Sequence, residues 1–173
     1  MGAPDSAVAT PPRSVKRASR WYQGRLKWPE HVTHVPTRVM DDSSYPVEGL
    51  PTPDPSRGPG AVVETQRTAL ADNDTPVENA GIKTAYNFAS PANRRATGPL
   101  DRFIQMVEGP QYAPMIDHVT AVTGPVERDG SRATQRVTLT GPRGRTVTYR
   151  FGVSKGSDGP FDGCWLTDRV VLE

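Results

Sequence analysis

Few side chains in this sequence combine chemical capability with a useful spacing. Asp117 and His118 stand side by side, and Tyr86, Tyr112 and Tyr149 supply phenols. A carboxylate or imidazole with a tyrosine is the acid/base pair that a proton-transfer pocket needs. Adjacent residues at the start of a strand point to opposite faces, so Asp117 and His118 serve one pocket only if the strand begins after them. His31 and His34 form H-x-x-H, a spacing that shares a metal on a helix, but Pro29 and Pro36 flank them and no helical period surrounds them. Cys164 precedes Trp165 in a β-rich run with no histidine nearby in sequence, the setting of a small buried hydrophobe rather than of a nucleophile. It is the single cysteine, so no intramolecular disulfide forms, and four ligands for a structural zinc are not found around it. The GPG at 58–60 and the GPRG at 141–144 read as turns, because neither follows a strand and opens a helix carrying Lys-Ser/Thr. Surface and core duty is the expectation for all of these residues, with no catalytic set, no metal and no cofactor.

Positioning such residues requires packed elements, and the first third of the chain offers none. Ten of the 18 prolines lie in residues 1–60, where apolar residues follow neither a helical nor an alternating period, so an extended arm that does not fold alone is expected there. Its beginning is basic, with Arg13, Lys16, Arg17, Arg20, Arg25 and Lys27 against Asp5 before Pro29, a bias like that of an organelle transit peptide; a solvated basic tail is the plain alternative. MGAPDS also fits the myristoylation pattern, with the basic residues as a second membrane signal. Trp21, Tyr22 and Trp28 lie among Arg17, Arg20 and Arg25, and large aromatics in an unpacked arm need a surface to bury against. These six residues are the expected partner-binding set. A net charge of +2 from 21 basic and 19 acidic residues is too balanced for a protein that coats phosphate backbone, so nucleic acid is not expected as a partner. No apolar run approaches the ~20 residues of a membrane span, and the N-terminus lacks the apolar core of a secretory signal. The chain reads as soluble or peripheral to something larger.

From residue 61 the pattern becomes that of one α+β domain reaching residue 173. Val62, Val63, Ala69 and Leu70 recur on one helical face after the GPG, which predicts a helix over 61–72. Thr75-Pro76 with Glu78 predicts a capping-box start for a second helix carrying Ile82, Ala85, Tyr86 and Ala89, ended by Pro91. A third helix opens at Gly98-Pro99, presents Leu100, Phe103, Ile104 and Val107, and stops at Gly109-Pro110; a short turn holds Tyr112, Met115 and Ile116. Strands are predicted near 118–126, 132–140, 145–153 and 164–172, as a meander with one face wet and the other packed on the helices.

The stretches TALADND, YNFASPANRRATGPLDRFIQMV and DGCWLTDRVVLE resemble the domain of unknown function 4864, found in bacterial and plastid-lineage proteins. The resemblance covers residues 61–173 and none of the arm. It implies a nuclear transport factor 2-like cone, with N-terminal helices packed on a curved four-stranded antiparallel sheet. That architecture hosts isomerases, cyclases, dimerisation modules and inert subunits, and the resemblance carries no catalytic residue with it. The expected function is a non-enzymatic accessory subunit of a larger organellar protein complex, in the chloroplast first and the mitochondrion second, docking through the domain and the arm. Two alternatives stand beside it. A pocket domain that binds or converts a small apolar molecule requires a concave cavity lined by apolar side chains with one or two converging ionisable groups, and not filled by Phe103, Met106, Tyr149 or Trp165. A sheet-mediated homodimer requires an exposed apolar sheet face.

Overall fold

A computed structural model describes residues 45–173. Helices α1 (Pro59–Ala71), α2 (Ala80–Asn87), α3 (Pro91–Thr97) and α4 (Leu100–Glu108) come first. A 3-10 turn (Ala113–Met115) then leads into strands β1 (Thr120–Asp129), β2 (Arg132–Thr140), β3 (Thr146–Lys155) and β4 (Trp165–Leu172), with a second 3-10 turn (Gly159–Phe161) before β4. The sheet runs β1-β2-β3-β4 with every pair antiparallel, so the fold is α+β, helices first, as the sequence pattern requires. Trp21, Tyr22, Trp28, Arg17, Arg20 and Arg25, together with His31 and His34, lie outside the described residues.

The first helix forms where expected, with Pro59 in its first turn and Val62, Val63, Gln66 and Leu70 buried along one stripe. The second begins later than its capping box suggests. Thr75 directs its hydroxyl to Asp72 Oδ1 (3.0 Å), and Asn79 at φ 58° separates Glu78 from the helix. Buried Asn73 does the capping instead: its carbonyl accepts from Gly81 N (2.9 Å) and its Oδ1 from Ile82 N (3.2 Å). Pro91 also takes a different part. The chain leaves α2 at Asn87, pairs briefly with β4 through Thr167 N to Phe88 O (2.7 Å) and Ser90 N to Thr167 O (2.9 Å), and then opens α3. Ser90 caps that helix by accepting from Asn93 N (3.2 Å), and Pro91 sits at its start, where a missing N–H costs nothing.

In the sheet, Val137, Leu139, Tyr149, Phe151 and Val153 turn inward and are buried against Val62, Ile82, Phe88 and Phe103. Burying each such side chain contributes roughly 1.5–3 kcal/mol, so this shared core is what holds helices to sheet. The opposite face is polar, with the Thr138–Thr148 and Thr140–Thr146 hydroxyl pairs at 2.8 Å and Glu173 bridging Arg136 (2.8 Å) and Arg150 (3.4 Å). Two irregularities interrupt the ladders. One lies between Thr123 and Val126 of edge strand β1; the other leaves Asp168 of β4 without a cross-strand partner, since Thr167 pairs with Val153 and Arg169 with Gly152.

Residues 45–53 already pack on this domain, and the boundary expected between 60 and 61 falls inside α1. Asn87, fully buried, accepts from Val47 N (2.7 Å) and donates to Val47 O and Pro51 O (3.1 Å each). Tyr45 donates to Asn87 O (3.1 Å), meets Tyr86 and Phe161 edge-on, and lies under the Arg94 guanidinium at 3.3 Å.

Candidate functional site: a cavity between the helices and β4

The irregularity in β4 borders a cavity of about 240 Å³. Leu70 of α1, Ala85 of α2, Phe103, Met106 and Val107 of α4 and Phe151 of β3 wall it. Phe103 and Met106 thus stand in its walls and leave the space open, whereas Tyr149 and Trp165 belong to the core around it.

Its polar lining is tied back to the protein. Gln66 donates to Val62 O (3.1 Å) and Thr167 Oγ1 (2.8 Å), and the Thr167 hydroxyl donates to Gln66 Oε1 (3.2 Å). Asn93 donates to Thr167 O (3.0 Å), and Tyr112 donates its hydroxyl to Val170 O (3.0 Å). Burial raises the Tyr112 phenol above its ordinary pKa, which keeps that donor in place. Asp168 and Arg169, of opposite charge and both exposed on β4, also line the cavity. A lining of this kind can enclose and orient an apolar molecule.

The residues singled out for chemistry do not converge on it. Strand β1 begins at Thr120, so Asp117 and His118 both precede it. Asp117, at φ 50°, accepts from Asn73 N (3.1 Å) while its own N–H donates to Leu70 O (2.8 Å), which ties the turn to the end of α1. His118 is buried, with Nδ1–H donating to Met115 O at 2.8 Å and Nε2 without a partner. Tyr149 stacks on Tyr112 with ring centroids 6.1 Å apart and donates to Gln111 O (2.7 Å); burial pushes its phenol up to about 12. Tyr86 packs edge-on against Phe103. Cys164 is buried, and that burial pushes its thiol up, with Asp54 and Asp162 adding to the effect.

Among the described residues, no three His, Cys, Asp or Glu side chains group closely enough to hold a metal ion, and no helix is long and apolar enough to cross a membrane. The sheet's outer face is threonine and arginine with isolated valines such as Val122 and Val171, not an apolar patch. Gln66, Asn93, Thr167 and Asp168 escaped notice in the sequence. The one visible signal was the run Thr167-Asp168-Arg169, which breaks the alternation of a strand.

Comparison with known proteins adds a family. The family described as "Domain of unknown function (DUF4864)" matches residues 58–171. No curated protein and no solved structure matches the chain.

Proposed function

The chain belongs to the DUF4864 family, whose description names no activity, and we propose from the site that the domain binds one small, mainly apolar molecule without transforming it. The observation that carries this reading is the unfilled cavity of about 240 Å³ walled by side chains of the helices and the sheet. The cavity is partly open to solvent, and apolar side chains such as Leu70, Phe103, Met106 and Val107 make up most of its lining, which suits an apolar ligand. Binding without reaction is favoured because Asp117, His118 and Tyr149 lie outside the cavity lining and Tyr112 holds its proton on Val170 O. The element order agrees with a nuclear transport factor 2-like cone, a likeness that belongs to this proposal.

Methyl NMR of the full chain with labelled methionines tests it, since Met106 and Met115 both line the cavity. Single-ring apolar compounds are expected to shift both methyls saturably, and Ala96→Trp, at an exposed lining position, is expected to abolish the response. A panel that moves neither methyl would overturn the reading.

A second reading has its own support. Trp21, Tyr22 and Trp28 among Arg17, Arg20 and Arg25 suit an arm that lies across protein neighbours in a larger organellar assembly, chloroplast first and mitochondrion second, at or near a membrane. Co-migration of the endogenous protein with a large complex on a native gel is its expected result; a free, partner-less species sinks it.

A further inference from the structure

Among the described helices, α3 is the one that the core does not hold. Helices α1, α2 and α4 bury residues such as Leu70, Ile82 and Phe103, whereas none of the seven residues of α3 is buried. It still contributes Asn93, Ala96 and Thr97 to the cavity lining, and so walls that space without being packed into the domain. An element with so little buried surface is the first to open locally. Its ends suit such a movement. Ser90 N is fixed to Thr167 O of β4 (2.9 Å), while Gly98, at φ 87° and ψ −169°, joins α3 to Pro99 and α4 in a conformation that glycine alone adopts readily. Two side chains hold the helix down. Asn93 donates to Thr167 O (3.0 Å). Arg94 donates to Ala89 O (3.1 Å), and its guanidinium carbon lies 3.3 Å from the centre of the Tyr45 ring, which is itself seated against Tyr86 and Phe161.

We infer that α3 is a movable cover of the cavity, latched by the Arg94–Tyr45 stack, and that a bound molecule enters and leaves beneath it. This rests on the apolar-ligand reading above and adds how the site is reached. Neither Arg94 nor Tyr45 lines the cavity, so the latch touches no ligand. Breaking it makes opening easier for the empty and the occupied protein alike. Entry and exit then quicken together, and affinity stays where it was.

The test uses the full chain and two readouts. Arg94→Ala should speed hydrogen exchange about fivefold at the Gly98 amide, which closes α3 on the carbonyl of residue 94 (2.8 Å), and leave the amides of α2 and α4 within about twofold. Alanine is the better helix former, so a faster α3 reports the lost latch and not a weaker helix. With labelled methionine methyls and toluene as the probe, the same substitution should raise the association and dissociation rates about fivefold each, with Kd within about twofold of native. Tyr45→Leu should match it, and Tyr45→Phe, which keeps a ring under Arg94, should behave as the native protein. Native rates of passage in Arg94→Ala, or a Tyr45→Phe protein as fast as Tyr45→Leu, overturn the inference and leave the cavity reading standing. If toluene moves neither the Met106 nor the Met115 methyl, the cavity reading falls and takes this inference with it.

Discussion

Of the described glycines, Gly81 has the least room for a side chain. It lies where α2 starts against the end of α1, and a Cβ there would collide with the Ala69 carbonyl oxygen and stand 2.8 Å from its carbon and 2.9 Å from Asn73 Oδ1. The obstacle is backbone, which cannot swing aside as a side chain can. Gly81→Ala is therefore expected to lower stability by about 2–3 kcal/mol in urea unfolding, although alanine has the better helix propensity. A loss below about 0.5 kcal/mol would mean that the two helices separate easily. Tyr149 governs the alkaline limit. Its pKa is raised to about 12 by burial, so the unfolded chain ionises first, from about pH 10. Stability is then fully present below pH 10 and lost as pH rises toward 12, with Tyr45, Tyr112 and Cys164, also raised by burial, contributing in the same direction. Unfolding midpoints that stay level from pH 9 to 12 would contradict this.

At the scale of an element, the start of α2 separates local pattern from tertiary arrangement. Thr75-Pro76 and Glu78 have the spacing of a capping box, yet Asn73, farther upstream, satisfies the Gly81 and Ile82 amides. Asn73 prevails because it is buried between α1 and the Asp117 turn, where an uncapped helix start would leave those N–H groups without water. Asn73→Ala should cost about 1–3 kcal/mol by thermal or urea unfolding, and Thr75→Ala, which loses only an exposed bond to Asp72, under about 0.5 kcal/mol. The reverse order would restore the capping box. Helix α4, the 3-10 turn at 113–115 and the alternation of β2 and β3 were all legible, because each depends on its own periodicity and on Gly or Pro at its ends. Pro91 was not, since a proline reads equally well as the end of one helix or the first residue of the next.

For the whole molecule, the described part of the proline-rich stretch belongs to the fold. Tyr45 and residues 46–51 lie on Asn87, Tyr86 and Phe161. A chain starting at Tyr45 should therefore melt at least about 5 °C above one starting at Gly58, measured by circular dichroism, because the shorter chain uncovers Asn87 and the Tyr86 ring. Equal melting temperatures would show that this segment adds nothing to the core. The sheet's outer face, with its Arg136–Glu173–Arg150 bridge, lacks the apolar surface that sheet-against-sheet pairing uses.

The sequence by itself determined the fold class, the order of helices before strands and most strand limits, because hydrophobic period and turn residues act over a few neighbours. It also restricted the chemistry, through one cysteine and three histidines, of which His31 and His34 stand together and His118 far from them. Only the tertiary structure decided that Asp117 and His118 serve the turn before β1, and that Gln66 and Thr167, 101 residues apart, share a hydrogen bond. The cavity too was hidden from the sequence. A pocket is a property of how α1, α4 and β4 meet, and no local pattern records the space that distant side chains leave between them.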